Sequence, residues 1–376
     1  MRILISIMRF EPGRTLGSEV YLSSFLEALS RVTEDEEIAV VGSEESCRWG
    51  EIFNNKINWI SAKIPQSALG RIIFEHNNAE KIAGRWNSNV VFFPFNLMPP
   101  MKIPSVLLVH DLVNEFYCKN FPRFRPIYFR LLRYFVRRSV KRSKAIITIS
   151  KAIADELHEL KLVKQEQQVH IVPLAVNRRI NNRQKPKHVP SGNFKIILQP
   201  GAQLPHKDHL TGINAFGELK RNYTDIYNQT RLILTGDINT DRQLKEAVKK
   251  QGIKKNVIFL GRLSPEELEW TMQNASVACF PTLYEGFGLG IVEAQARKTP
   301  LIASDIPVLK EVSGGGAIFF EQRNAKDLAE KIAAMLDTKN DSLANLIEVG
   351  TANIAKWSWE AHCRKVISIL KLTAGF

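Results

Sequence analysis

The sequence predicts an α/β protein made of two doubly wound parallel sheets. Short apolar runs rich in β-formers alternate with helix-length amphipathic runs, and this alternation favours parallel sheets flanked by helices. The chain has 376 residues, more than the roughly 250–300 at which a single hydrophobic core stops growing. A polar stretch near the middle divides the alternation into two series. We therefore expect two Rossmann-like domains, with ligands bound at strand ends that face an interdomain cleft.

The first series starts at the amino terminus. The apolar run in residues 1–9 is too short for the hydrophobic region of a signal peptide, so we interpret it as the first strand. Residues 18–29 carry apolar side chains at helical spacing. Further strands are expected at 38–41, 90–94, 105–109, 145–149 and 171–173.

The second series begins after residues 177–193, which lack an apolar period and are rich in Asn, Lys, Arg and Pro. We interpret this segment as a linker between domains 1–176 and 194–352. The tail, 353–376, is expected to form a last helix over 353–372. The strands of the second series are expected at 195–199, 231–235, 257–260, 277–280 and 301–303, and its helices at 210–219, 241–251, 265–274, 288–296 and 326–336.

Composition excludes several classes of protein. The chain is 44% hydrophobic and 24% charged, which is ordinary globular usage rather than disorder or coiled coil. The four cysteines form no CxxC pair, which argues against a disulfide framework and a structural zinc site and favours a reducing compartment. No run of about 20 apolar residues predicts a membrane-spanning helix. The net charge of +14 indicates an anionic partner: nucleic acid, a phosphate-bearing substrate or an anionic lipid surface.

The strongest chemical signal is the segment 280–294, FPTLYEGFGLGIVEA, at the end of a predicted strand and the start of a helix. Gly286, Gly288 and Gly290 let backbone N–H groups approach a ligand, and the helix start favours a diphosphate. Glu285 lies in the loop. Glu293 lies about a turn and a half into the helix, where a carboxylate can accept from a ribose diol. The alternative is a glycine-rich turn with two solvated carboxylates.

This segment resembles the E-x7-E motif of family 4 retaining glycosyltransferases of the GT-B fold. The resemblance covers essentially the whole chain and is densest over 195–320, where ASDIP at 303–307 is also similar. It implies that Glu285 touches the donor sugar and that Glu293 holds the ribose hydroxyls. It also implies that the last helix packs back toward the N-terminal domain. The segment expected to contact the sugar and diphosphate consists of Gly286, Phe287, Gly288, Leu289, Gly290 and Ile291.

A second signal follows the strand at 195–199, in the loop that runs from Gly201 to Lys207. A lysine in a strand-end loop suits a diphosphate, and the resemblance implies that Lys207 neutralises the leaving nucleotide. Many family members carry an arginine a few residues before this lysine, where this chain has Ala202 and Gln203. His206 and Arg262 are the candidates for the second positive charge. A solvated turn lysine is the alternative.

The N-terminal half carries two further candidates. A buried strand ends on His110 and Asp111. The resemblance implies that His110 hydrogen-bonds the donor sugar near the anomeric carbon. A histidine bonded only to a backbone carbonyl is the alternative, and a metal-dependent HD phosphohydrolase lacks its further ligands here. Gly17, between the first strand and the first helix, is implied to lie near the donor phosphate, with a flexible loop as the alternative.

The segment 123–144, RFRPIYFRLLRYFVRRSVKRSK, carries nine Lys/Arg, five aromatics and no acid. Ile127, Leu131, Tyr134 and Phe135 predict one apolar face, which indicates a basic amphipathic helix on an anionic membrane surface. A core-packed helix with a solvated basic face is the alternative. No nucleic-acid-binding motif accompanies the charge, so nucleic acid is not an expected partner.

The expected reaction is sugar transfer with retention, from a nucleoside diphosphate sugar to a lipid-linked or growing saccharide. Lys207 and backbone N–H groups stabilise the leaving diphosphate, and no DxD-type pair is seen, so we expect no metal or other cofactor. The loop at 205–208 looks most like bacterial polysaccharide-assembly transferases, which favours GDP-mannose over UDP- or dTDP-sugars. A non-catalytic nucleotide-sugar-binding protein is the second hypothesis. The expected location is the cytoplasm, peripheral at the inner face of the cell membrane.

Overall fold

The computed structural model describes residues 1–13, 16–33, 35–54, 57–176, 182–236, 242–337 and 342–376. They fall into two compact units: Met1–Ala175 together with Trp357–Phe376, and Val176–Lys356. Part of the expected linker, residues 177–181, lies outside the described residues. The rest packs on the second unit, where Arg183 Nη1 donates to Gln273 Oε1 at 2.7 Å.

The first unit is built on a seven-stranded parallel sheet in the order β3-β2-β1-β4-β5-β6-β7. Its strands are β1 Arg2–Ser6, β2 Glu37–Ser43, β3 Asn58–Ala62, β4 Val90–Phe93, β5 Ser105–Val109, β6 Ala145–Thr148 and β7 Gln168–Ile171. Its helices are α1 Leu16–Val32, α2 Glu44–Glu51, α3 Ala68–Arg85, α4 Val113–Asn120, α5 Pro126–Arg142 and α6 Lys151–Glu159. Strands β4, β5 and β6 are buried along their whole length, because helices cover both faces of a parallel sheet.

Helix α3 was not predicted because its buried face contains two charged residues. Arg71 and Glu75 lie on that face with Ala79 and Ala83, so the apolar period of an ordinary amphipathic helix is missing. Each charge has a partner that is distant in sequence: Arg71 pairs with Glu11, and Glu75 pairs with Arg9. The helix is stable because these charges are paired in the folded unit, which the local pattern does not reveal.

The second unit has a six-stranded parallel sheet in the order β10-β9-β8-β11-β12-β13, and the expected α/β fold of two Rossmann-like sheets is confirmed. Its strands are β8 Lys195–Gln199, β9 Thr230–Thr235, β10 Val257–Gly261, β11 Val277–Phe280, β12 Leu301–Ser304 and β13 Ile318–Phe320. Its helices are α7 His209–Asn222, α8 Thr224–Asn228, α9 Arg242–Gln251, α10 Pro265–Asn274, α11 Leu289–Ala296, α12 Pro307–Ser313, α13 Ala325–Leu336 and α14 Ser342–Ile354.

The helix predicted over 353–372 is present as Trp359–Ala374, so only its predicted start is wrong. The chain forms α14 and then a separate helix, α15 Trp359–Ala374, which starts where the Ser358 side chain accepts from Ala361 N. Asn353 ends up in α14, where its side chain donates to Val312 O at 2.8 Å within the second unit. Helix α15 instead belongs to the first unit: His362 Nδ1 donates to Pro173 O at 2.9 Å. The Asn353 bond to Val312 and the Ser358 cap therefore divide into two helices a segment whose apolar pattern alone predicts one.

Candidate functional site

The carboxyl ends of strands β8 and β11 hold the two loops that the sequence singled out in the second unit. The two strands are hydrogen-bonded neighbours, so their ends lie at the same edge of the sheet. The carbonyl of His206 accepts from Leu283 N at 2.7 Å and from Thr282 Oγ1 at 2.9 Å. These bonds hold the lysine loop against the glutamate loop.

The junction brings Lys207 and Glu285 together. Lys207 Nζ donates to Glu285 Oε1 at 2.6 Å, and the two side chains keep 27% and 18% of their surface exposed. Both charges therefore remain within reach of a ligand at the strand ends. The ammonium group carries three N–H donors, of which one goes to Glu285.

Two glycines of the glutamate loop, Gly288 and Gly290, lie where a larger residue would clash. Gly288 has φ +91° and precedes α11, and a Cβ there would lie 2.6 Å from a Leu309 methyl group. A Cβ on Gly290 would lie 2.5 Å from the Phe280 ring. The first N–H groups of α11 have no partner within the helix, so Leu289 and Gly290 are the amides that an anion could use.

Three residues of the same segment have other environments. Phe287 and Ile291 are buried in the core, and Ile291 N already donates to Gly288 O at 2.9 Å. Their side chains pack the base of the loop. Gly286, the first residue after Glu285, is half-buried.

Glu293 lies on α11, one helical turn before Arg297, which forms a buried ion pair with Glu269. Arg297 Nε donates to Glu269 Oε2 at 2.8 Å, and its Nη1 donates to the Glu293 carbonyl at 2.9 Å. Burial raises the pKa of the Glu293 carboxyl, Arg297 opposes that rise, and Glu269 adds to it. Arg297 thus supports both the helix backbone at Glu293 and the charge state of its carboxylate.

The loop after β8 contains the remaining donor-site candidates. Gly201 has φ +119°, and its amide donates to Thr235 Oγ1 at 3.2 Å. Arg262 directly follows β10 and is exposed. Burial, with help from Lys207 and His209, lowers the pKa of His206 to about 3. His206 is therefore neutral near pH 7, which argues against its expected role as a second positive charge and leaves Arg262 as the candidate.

In the first unit, three neighbours fix His110 at the end of β5. Its backbone amide donates to Asn96 Oδ1 at 2.7 Å, and the Tyr21 ring meets the imidazole edge-on at 4.8 Å. Nε2 lies 2.8 Å from Pro94 O, and a carbonyl can only accept, so Nε2 carries the proton. Burial lowers the pKa of His110 to about 4. The side chain is a neutral imidazole whose Nδ1 can accept a hydrogen bond from a hydroxyl.

Gly17 lies in the first turn of α1 rather than in a loop. It is exposed, and a Cβ placed on it meets no atom within 4 Å. Among the described residues of this unit, nothing requires glycine there for packing.

The basic helix α5 has two different apolar faces. Phe129, Val136 and Val140 are buried against the unit. The face predicted from the sequence is largely the exposed one: Ile127 keeps 75% and Leu131 52% of its surface accessible. The structure therefore assigns the core contact to residues that the sequence pattern did not single out.

Within the described parts of the chain, no helix is long and apolar enough to cross a membrane. The same residues contain no cluster of three His, Cys, Asp or Glu side chains suited to a metal ion.

Sequence reasoning missed the residues that support the site. Asn96 follows β4 and Thr282 follows β11, and a polar residue just after a buried strand was the available signal for both. Glu269 and Arg297 gave no such signal, because they lie on helices and become partners only through the fold.

Two family models match successive halves of the chain. One, described as Glycosyltransferase Family 4, matches residues 17–179. The other, described as Glycosyl transferases group 1, matches residues 180–352. The boundary between the two matches falls in the segment that was interpreted as a linker.

Relatives with named activities are similar over a little more than half of their length. The O-antigen chain mannosyltransferase RfbU of Salmonella typhimurium is 30% identical over 227 residues, which is 60% of this chain and 59% of the relative. The MMP alpha-(1->4)-mannosyltransferase of Mycolicibacterium hassiacum is 27% identical over 237 residues, 62% of this chain and 55% of the relative.

Solved structures match almost the entire chain. Sucrose-phosphate synthase from Thermosynechococcus elongatus superposes with a TM-score of 0.76 at 16% identity, covering 99% of this chain and 98% of the other. HepE from Anabaena, solved in complex with UDP and glucose, gives a TM-score of 0.70 at 16% identity, covering 99% of both chains. These likenesses establish the GT-B fold. Because the two family models together match residues 17–352, the chain belongs to the family 4, group 1 glycosyltransferases.

Proposed function

We propose that this protein transfers a sugar from a nucleoside diphosphate sugar to a saccharide hydroxyl with retention of anomeric configuration. The observation that carries the proposal is the Lys207–Glu285 pair at 2.6 Å, placed beside the first turn of α11. A cation, free helix-start amides and a carboxylate at one sheet edge suit a diphosphate joined to a sugar. The named mannosyltransferase relatives support the same class.

In this proposal Lys207 exchanges Glu285 for the donor diphosphate. The Lys207 ammonium and the amides of Leu289 and Gly290 then stabilise the negative charge that grows on the leaving group. Glu285, released from the lysine, accepts from hydroxyls of the donor sugar. Glu293 accepts from the ribose diol. Charge on the diphosphate is thus balanced by groups of the chain itself, and we propose a reaction that needs no metal.

The neutral state of His110 specifies its proposed role. With Nε2–H committed to Pro94 O, Nδ1 can accept from a sugar hydroxyl but cannot donate to one. His110 therefore orients the donor sugar and is not a proton donor to the leaving group. For retention we propose front-face attack, in which the departing phosphate takes the acceptor proton.

GDP-mannose is the proposed donor, supported by the mannosyltransferase names among the relatives. A thermal-shift series with GDP, UDP and dTDP and their sugar conjugates tests it, because a ligand of the folded state raises stability with the logarithm of [L]/Kd. A selective shift with GDP and GDP-mannose is expected. A selective shift with UDP or dTDP would mean that the donor carries that nucleotide and that GDP-mannose is not the donor. Nucleotide binding without any turnover favours the non-catalytic alternative, for which Ala202 in place of the usual arginine is the supporting observation.

We further propose that α5 holds the protein at the cytoplasmic face of an anionic membrane. Ile127, Leu131 and Tyr134 are exposed on one side of a helix with many basic residues, and each basic residue near such a surface contributes about 1 kcal/mol. The variant Ile127→Ser/Leu131→Ser should lose binding to phosphatidylglycerol vesicles. The matched control Ile52→Ser/Leu69→Ser, which changes two exposed apolar residues elsewhere, should keep it. Equal binding by both variants would contradict the role of α5.

A further inference from the structure

A pocket of about 210 Å³ opens between α3, α5 and the segment 97–99 in the first unit. Its apolar wall is formed by Ile72, Leu97, Met98, Pro99 and Phe135. This volume is below the roughly 300–1,000 Å³ of a complete small-molecule site, so the pocket suits one group of a larger ligand.

Three arginines line the same pocket and differ in their surroundings. Arg138 and Arg142 are exposed at its rim and form no ion pair within the described residues. Arg9 is buried: its Nε pairs with Glu75, whereas its Nη1 is buried with no hydrogen-bond partner. A buried guanidinium nitrogen left without an acceptor is costly, so Arg9 keeps an unmet hydrogen-bond demand in the wall of the pocket.

The charge of the pocket is positive. Glu75, which is not one of the lining residues, neutralises only Arg9. The guanidinium groups of Arg138 and Arg142 remain, with His76 as a further ring at the edge. Arginine pairs bidentately with phosphate oxygens. The rim therefore favours a phosphate or diphosphate group rather than a neutral sugar.

The surface beyond the rim is apolar. Tyr134 lines the pocket and continues the exposed stripe of Ile127 and Leu131 on the same face of α5, at helical spacings of four and three residues. A ligand with its phosphate among the arginines has an apolar path for a hydrocarbon chain. The other wall, 97–99, directly continues the segment 94–96 that holds His110.

From this combination we propose that the pocket binds the phosphate or diphosphate head group of a lipid that carries the saccharide acceptor. The proposal rests on the proposed transfer reaction, and it adds the site and the residues that hold the phosphate of a lipid-linked acceptor. The head group lies among Arg9, Arg138 and Arg142, and the chain follows Tyr134, Leu131 and Ile127 along α5.

The test uses farnesyl diphosphate as the probe, with inorganic diphosphate and farnesol as its two separate parts. Calorimetry on the full chain should show farnesyl diphosphate binding more tightly than either part. Arg138→Gln/Arg142→Gln should weaken that binding by roughly tenfold or more, since charge-assisted hydrogen bonds from two guanidinium groups are lost. The charge-matched control Arg130→Gln/Lys141→Gln lies on the same helix outside the pocket and should retain it.

Three results would overturn the proposal. Equal weakening by both double variants would mean general attraction to a basic helix. Equal affinity for inorganic and farnesyl diphosphate would show that the hydrocarbon chain contributes nothing to binding, so the ligand is not a lipid. Displacement of farnesyl diphosphate by the preferred nucleoside diphosphate would place it in the donor site beside Lys207. Failure of the proposed transfer is seen separately, as absence of any nucleotide-induced thermal shift, and leaves the farnesyl diphosphate measurement intact. Arg9 is left unchanged throughout, because removing it would leave Glu75 buried without its partner.

Discussion

Lys207 and Glu285, separated by 78 residues in sequence, share a hydrogen bond of 2.6 Å between Nζ and Oε1. Each is held by a loop at the end of a neighbouring strand, and the His206 carbonyl joins the two loops. The proposed donor therefore meets a site in which its main cation already has an anionic partner. In the proposed reaction the diphosphate takes the place of Glu285 at the Lys207 ammonium group.

Glu285→Gln should separate nucleotide binding from transfer. Removing the carboxylate frees Lys207, and because a partly exposed ion pair contributes about 0.2–1 kcal/mol, the free nucleoside diphosphate should bind equally well or up to about fivefold tighter. Transfer should fall by about 10²–10³ because a group that contacts the reacting sugar is lost. Calorimetry and a turnover assay measure the two effects.

Lys207→Met is the complementary variant and should weaken nucleoside diphosphate binding. Glu330→Gln, an exposed glutamate on α13, is the control and should change neither quantity. Weaker nucleotide binding in Glu285→Gln than in the unaltered chain would show that the carboxylate helps to hold the diphosphate and is not displaced by it.

Stability should fall as the pH drops from about 6.5 to 4. The pKa values of His110 and His362 are lowered by burial to about 4, and that of His206 to about 3, whereas a histidine in the unfolded chain titrates near 6.5. Between these values the unfolded chain binds more protons, and each histidine contributes up to about 1.4 kcal/mol per pH unit. Above pH 7 these three histidines are neutral in both the folded and the unfolded chain, so they do not make the free energy of unfolding depend on pH.

Denaturant unfolding measured from pH 4.5 to 7.5 checks this expectation. His110→Gln should reduce the slope of the free energy of unfolding against pH. His158→Gln changes an exposed histidine and should leave the slope as it is. An equal slope in both variants would mean that His110 titrates normally in the folded chain.

Two glycine substitutions should act in opposite ways. Gly290→Ala places a Cβ 2.5 Å from the Phe280 ring, so it should lower the melting temperature and displace the amides of α11. Gly17→Ala adds a methyl group in open space within a helix, where alanine is favoured by about 1 kcal/mol. Its melting temperature should stay level or rise while transfer falls. Unchanged transfer in Gly17→Ala would show that Gly17 is not part of the site.

Arg297→Met should destabilise the second unit strongly. Its loss leaves Glu269 fully buried without a cation, which costs about 3–5 kcal/mol for a broken buried pair. The double variant Glu269→Met/Arg297→Met should recover most of that stability, because it removes both charges. If the double variant is as unstable as the single one, the hydrogen bond from Arg297 to the Glu293 carbonyl carries the stability instead. Urea unfolding at pH 7 distinguishes the two.

Local patterns were sufficient for most of the second unit. The strands at 195–199 and 277–280 and the helix at 265–274 have the predicted bounds. Ser264 and Glu267 form a capping box at the start of α10, and short buried strands read as uninterrupted apolar runs. The same reasoning missed β13 in the second unit. In the first unit it missed β3 and the helices α2, α3, α4 and α6. Strand β3 lies at the sheet edge and is only partly buried. Helix α3 has charged residues on its buried face, and they interrupt the apolar period from which a helix is predicted.

The sequence by itself determined the alternation of strands and helices, the glycine-rich turn that follows the strand at 277–280, and the carboxylates and lysine of the donor-site candidates. These are properties of neighbouring residues: spacing, size and backbone freedom. Only the tertiary structure decided that His110 is neutral with its proton on Nε2, that α5 exposes its predicted apolar face, and that Arg9 shares a pocket with Arg138 and Arg142. Burial, protonation and unpaired charge depend on contacts between segments distant in the chain, and those contacts exist only once the sheets have formed.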